Sequence, residues 1–259
     1  MADEPRLPPP PSVAYGDHPD QVANLHLPAG DAGRWPCVAL IHGGFWRTGW
    51  DRTLMTPLAV DLARRGLAAW NLEYRRVGQA GGGWPGTLAD VAAGLDRLAA
   101  MDGVDATRIA TCGHSAGGHL AVWLAARHRL PAGAIGANPV VRPVAAVAQA
   151  GVLDLHRGHE ERLGGGAVEA LLGVPDAHAE RYATASPAAL APLGVDQLLV
   201  HGPADDVVPV TQSRIHAALD PRAVLAEVEG GDHFDVIDPG HEAWRDTVAW
   251  LSRRLEARS

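Results

Sequence analysis

Short apolar runs alternate with longer amphipathic ones along most of this chain. Val38-Ala39-Leu40-Ile41 reads as a buried strand. Residues 52–65 read as a helix that closes at Gly66, a residue suited to a C-cap. Leu67 to Leu72 is the next strand. Residues 86–101 carry Leu88, Val91, Leu95 and Leu98 at helical spacing. Arg108 to Cys112 reads as a strand and Ala116 to Arg129 as a helix, and Val144 to Ala150 and Gln197 to His201 read as further strands. Residues 209–219 look helical, 223–228 strand-like, and 240–256 form a last amphipathic helix. This alternation predicts an α/β fold, a mostly parallel sheet covered on both faces, with roughly six strands after residue 36. Residues 1–20, with Pro5 and Pro8 to Pro11, read as a flexible lead, and residues 21–259 as one domain. The stretch 154–185 breaks the rhythm with His, Glu, Arg and Gly164-Gly165-Gly166. In an open α/β fold such an insertion belongs over the strand ends, where ligands bind, so a small lid is expected there.

Composition narrows the partners. The 259 residues are 47% hydrophobic and 20% charged, which excludes a mostly disordered chain. No uninterrupted apolar stretch approaches the roughly 18 residues of a membrane span. The net charge is −8, and all 22 basic residues are Arg, with no basic tract. Nucleic acid and anionic membranes are therefore poor partners, and a small-molecule substrate is expected. The start, Met1-Ala2-Asp3-Glu4-Pro5-Arg6, lacks a basic-then-apolar secretory pattern, so a cytoplasmic location is the expectation. Cys37 and Cys112 are too few for a disulfide framework and read as buried free thiols.

Cys112-Gly113-His114-Ser115-Ala116-Gly117-Gly118-His119 contains G-x-S-x-G directly after a strand and directly before a helix. That context suits a nucleophile elbow, a turn so tight that side chains two residues before and after the serine would collide with their neighbours. The helix start beyond it offers unpaired N–H groups and partial positive charge. Upstream, His42-Gly43-Gly44-Phe45-Trp46 follows a strand and resembles the oxyanion-hole loop of esterases and lipases. The expected donors are the backbone N–H groups of Gly44, Phe45 and Ala116. A serine needs a base, and the base needs an orienting carboxylate. Asp205-Asp206 lies just past one strand and His233 in a Gly-rich loop past the next, while His201 falls in a turn ahead of the acid.

Together these segments resemble the α/β-hydrolase fold over residues 36–257, and within it the hormone-sensitive-lipase-like esterases. Glu73-Tyr74-Arg75, Trp84-Pro85 and Leu88-Ala89-Asp90-Val91 are similar to the stretch between oxyanion loop and elbow in those enzymes. Phe45 stands where a third glycine would, and H-G-G-aromatic-Trp looks more like kynurenine formamidases. Asp205-Asp206-Val207-Val208-Pro209 resembles prolyl oligopeptidases, whose propeller this chain is too short to hold. The resemblance implies a triad of Ser115, Asp205 (in preference to Asp206) and His233, with no metal or organic cofactor. It also implies a serine hydrolase acting through an acyl-enzyme on small acyl or aryl esters. An arylformamidase cleaving N-formylkynurenine, a prolyl-oligopeptidase-like aminopeptidase and a non-catalytic binding protein of the same fold are the alternatives. Trp46, Trp84 and His114 are candidate substrate contacts and Trp50 a further candidate pocket wall, with core packing the competing role for the three tryptophans. A homodimer is compatible with the sequence. His156 and His159 with Glu160 and Glu161 have loose spacing for a metal and read as a solvated lid face.

Overall fold

Alternate residues of the first long apolar strand enter opposite cores: Cys37, Ala39 and Ile41 one, Val38 and Leu40 the other. This is the period-two pattern of a strand covered on both faces. The computed structural model describes residues 10, 12–30 and 33–256. Among them eight strands form a single sheet: β1 (Ser12–Ala14), β2 (Val22–His26), β3 (Trp35–Ile41), β4 (Ala68–Leu72), β5 (Val104–His114), β6 (Ala145–Gln149), β7 (Asp196–His201) and β8 (Ala223–Glu227). Their order across the sheet is β1-β2-β4-β3-β5-β6-β7-β8. The first three pair antiparallel and all later neighbours run parallel.

The helices are α1 (Thr56–Arg64), α2 (Gly86–Asp96), α3 (Ala116–Ala126), α4 (Leu155–Glu160), α5 (Leu163–Leu172), α6 (Ala179–Ala185), α7 (Pro187–Leu190), α8 (Thr211–Leu219) and α9 (Glu242–Leu255). All eleven residues of α3 are buried, because the sheet lies on one side and α2 and α7 on the other. No helix among the described residues is long and apolar enough to cross a membrane.

The six parallel strands match the sequence pattern; the two antiparallel ones were not legible in it. β2 is interrupted by Asn24 and His26, and β1 is three residues long. Residues 12–20, assigned above to a flexible lead, instead carry β1 and Tyr15, whose hydroxyl donates to the Glu73 carbonyl at 2.6 Å. Pro5, Pro8, Pro9 and Pro11 lie outside the described residues. The helix expected over 52–65 divides into a 3-10 turn (Arg52–Met55) and α1, with Pro57 in the first turn of α1. The insertion 154–185 contains α4, α5 and α6. Arg162 and the three glycines at 164–166 all have positive φ, making a left-handed turn at the start of α5.

Candidate active site

Ser115 sits between β5 and α3 with φ 57° and ψ −120°, a conformation that costs a non-glycine residue about 1–3 kcal/mol. The flanking glycines explain why the turn forms. A Cβ on Gly113 would lie 2.1 Å from the Gly117 carbonyl oxygen, and one on Gly117 would lie 2.1 Å from that of Ile41. Backbone occupies both places, so only glycine fits. The Ser115 N–H donates to the Gln149 carbonyl at 2.8 Å, and the Ser115 carbonyl accepts from the His119 N–H at 3.2 Å.

The loop after β3 lies against this elbow. A Cβ on Gly43 would come 3.0 Å from the Ser115 Cβ. Gly44, Phe45 and Trp46 all have positive φ (105°, 51° and 55°). Among the described residues the N–H groups of Gly44 and Phe45 have no protein acceptor. Below the loop, buried His42 meets Glu73 at 2.9 Å and stacks on Tyr74 with centroids 4.4 Å apart. Burial opposes a charge on Glu73, but the His42 bond, the Arg52 N–H and the Arg76 guanidinium outweigh it and hold the carboxyl below its ordinary range. Arg75 grips Asp90 with a two-pronged contact at 2.7 and 2.8 Å, which accounts structurally for Asp90.

The candidate acid and base, Asp205 and His233, lie beyond the ends of β7 and β8. His233 Nδ1 lies 2.7 Å from Asp205 Oδ2, while Oδ1 accepts the N–H groups of Val207 and Val208, each at 2.8 Å. Burial alone would raise the Asp205 pKa. The bonds from His201, His233 and the Val208 N–H more than offset it, holding the carboxyl well below the usual carboxylate range. An ionised Asp205 only accepts, so His233 Nδ1 carries its proton and Nε2 has a free lone pair. Asp206 is exposed. A second imidazole also reaches Asp205, that of His201 in the turn ahead of it. His201 Nε2 stands 2.8 Å from the Val208 carbonyl and 3.3 Å from Asp205 Oδ2, both acceptors, so it too is protonated there. Its Nδ1 therefore accepts from the Ser213 hydroxyl at 2.8 Å.

His233 is also tied to the residue before Ser115. His114 Nε2 lies 2.8 Å from the His233 carbonyl, so it is the donor, and the two rings are 4.5 Å apart. Burial and the neighbouring His233 push the His114 pKa down to about 3, so this brace stays neutral. Among the described residues Ser115 Oγ has no hydrogen-bond partner, so the Ser115–His233 contact is not closed in this structure. Such contacts commonly tighten only when substrate is bound.

Two expected substrate contacts are corrected. Trp46 is fully buried, its indole N–H bonded to His119, and His114 is buried as the brace just described. Both polar rings found internal partners and so left the surface. Trp84 is half-buried against the core, with its N–H on the Leu171 carbonyl of α5. Of the candidate tryptophans Trp50 stays exposed, at 47%, and Phe234, which the sequence pattern did not single out, stands beside it at 45%, with centroids 6.1 Å apart. Trp50 packs against Gly44 and Phe234 against His233, so the pair spans the loop after β3 and the candidate base. His156 and His159 flank the Tyr182 ring.

The model of the BD-FAE family matches residues 23–219, well over half of the chain and inclusive of the oxyanion loop, the elbow and Asp205. The chain belongs to the BD-FAE family. Within 118 residues this BD-FAE chain is 32% identical to isoprenylcysteine α-carbonyl methylesterase of Arabidopsis thaliana. That match covers 42% of the chain and 26% of the relative. A probable isoprenylcysteine α-carbonyl methylesterase of Oryza sativa subsp. japonica matches over the same shares at 32% identity. The match thus spans about a quarter of these curated relatives' length. Among solved structures, a truncated carbohydrate esterase from gut microbiota superposes with a TM-score of 0.80 at 20% identity, covering 95% of each chain. A propionate-bound esterase of Thermogutta terrifontis gives 0.74 at 24% identity, covering 97% of this chain and 95% of that one. These two likenesses establish the α/β-hydrolase fold.

Proposed function

We propose that this chain is a serine hydrolase of carboxylic esters with a small acyl or aryl group. The observation that carries the reading is the 2.7 Å bond between His233 Nδ1 and Asp205, on a loop tied to the residue before a strained serine. The esterase names of the relatives support it. In this reading Ser115 Oγ passes its proton to His233 Nε2 and attacks the ester carbonyl carbon. The carbonyl oxygen becomes an oxyanion beside the N–H groups of Gly44, Phe45 and Ala116. Collapse of the adduct breaks the ester C–O bond, and the leaving alcohol takes the proton from His233. Water then gives a proton to His233 and attacks the acyl carbon; the acyl C–Oγ bond breaks, the acid leaves, and His233 returns the proton to Ser115 Oγ. Asp205 holds the tautomer and stabilises the imidazolium. Trp50 and Phe234 give the apolar part of the substrate a surface beside the reacting atoms.

Ser115→Ala tests the nucleophile. It is expected to abolish p-nitrophenyl acetate hydrolysis while the far-ultraviolet circular dichroism stays native. Retained turnover would falsify the assignment. Comparison of short-chain esters with N-formylkynurenine tests the substrate class: a higher kcat/KM on the formamide would overturn the ester reading.

A further inference from the structure

We propose that His119 is a positioning residue for the oxyanion loop, holding the Gly44 and Phe45 donors in register with Ser115 through the indole of Trp46. The inference rests on the acyl-transfer reading and adds to it the residue that joins the two halves of the site.

Phe45 and Trp46 are consecutive non-glycine residues with left-handed φ. Such backbone persists only where its surroundings fix it. Four contacts do so. Arg47 N–H donates to the Gly44 carbonyl at 2.9 Å and Val77 N–H to that of Trp46 at 2.8 Å. The Arg47 guanidinium donates to the Gly164 carbonyl at 2.8 Å, and Trp46 Nε1 donates to His119 Nδ1 at 3.1 Å. Of these, only the last reaches α3, whose first residue supplies the third donor. His119 also binds the nucleophile directly, its backbone N–H on the Ser115 carbonyl. One residue therefore grips Ser115 with its main chain and the oxyanion loop with its ring.

Its protonation follows from its partners. An indole N–H only donates, so His119 Nδ1 is the acceptor and Nε2 carries the proton. Nε2 accordingly donates to the Ala185 carbonyl at the end of α6, 2.9 Å away. Burial pushes the pKa of His119 down to about 4, against the pull of that carbonyl, which keeps the ring neutral. The ring is fully buried and meets Trp46 edge-on, at 84° and 5.3 Å between centroids. A space-filling role would be met by any apolar residue. The paired acceptor and donor are needed only if the orientation of Trp46 matters.

The test compares His119→Leu, His119→Gln and Trp46→Phe with the wild-type chain on p-nitrophenyl acetate, with Ser115→Ala as control. Gln keeps an acceptor and a donor on a neutral side chain; Leu and Phe remove the bond. His119→Leu and Trp46→Phe are expected to lower kcat about ten- to a hundredfold, the scale of a small misplacement of catalytic groups, with KM changed less than about twofold. Affinity for a trifluoromethyl ketone, whose serine adduct carries the oxyanion, should fall by the same factor as kcat/KM. His119→Gln should recover most of both. Unchanged kcat and ketone affinity in folded His119→Leu, measured well below its melting temperature, would overturn the positioning role alone. Should the leucine variant not fold, a fully active folded Trp46→Phe would overturn it equally. Absence of Ser115-dependent turnover in the wild-type chain would overturn the hydrolase reading and this role together. A ¹⁵N spectrum showing His119 protonated at Nδ1 would overturn the bond itself.

Discussion

Ser115 stores strain that its neighbours hold in place, and this separates its proposed role as nucleophile from its contribution to stability. Glycine adopts φ 57° and ψ −120° without the steric cost that serine bears. Ser115→Gly is therefore expected to raise the unfolding free energy by about 1 kcal/mol, the relief of strain less the glycine's extra unfolded-state entropy. Denaturant unfolding checks this; a loss of stability would contradict the strain. At this scale the sequence revealed the residues whose spacing is local. Gly113 and Gly117 are readable because each faces backbone that any elbow of this kind brings near. The partner of Trp46 is not, because His119 lies 73 residues further along the chain, and although His201 is only four residues before Asp205, nothing in the pattern shows that the turn between them folds its ring back onto the carboxylate. Two of the candidate substrate residues failed for the same reason: nothing local shows that a polar ring such as Trp46 or His114 has an internal partner.

The elements explain how distant residues meet. Parallel strands β3, β5, β7 and β8 all end on one side, so the loops after them share a face. Apolar runs buried on both sides make β3, β7 and the second half of β5 legible, and β8 is read from its apolar composition although it is partly exposed at one edge, whereas β1 and β2 are short, partly polar and antiparallel at the other. The insertion was recognisable by its composition but its contact with the site was not. Gly164 lies against the Phe45 ring, where an added Cβ would come within 2.6 Å, and its φ is 57°. Gly164→Ala should push the ring and the adjoining N–H groups aside. A fall in kcat/KM of roughly tenfold or more is expected, read with p-nitrophenyl acetate. Unchanged kinetics would mean that the α5 turn does not constrain the oxyanion loop.

At the scale of the whole molecule, three deeply buried histidines among the described residues have their pKa pushed far below the ordinary 6.5, His114 to about 3 and His119 and His216 to about 4, each chiefly through burial. Between those values and 6.5 the unfolded chain binds protons that the folded chain refuses, so stability rises with pH across that window. It is fully present above about 6.5 and is lost as pH falls toward 4, by on the order of 1–2 kcal/mol per histidine at pH 5. The denaturant midpoint should therefore drop steadily from pH 7 to pH 5; a flat profile would mean that these rings are solvated or paired when charged. The fold, its parallel strands and the elbow were thus visible in the chain, while the bracing network of buried imidazoles became visible only in three dimensions. The proposed nucleophile Ser115, activated by His233, is open to labelling with diethyl p-nitrophenyl phosphate followed by peptide mass spectrometry. One diethylphosphoryl group per chain on Ser115, formed at least a hundredfold more slowly after His233→Ala, is the expected result. A label on another residue, or an unchanged rate in that variant, would contradict it.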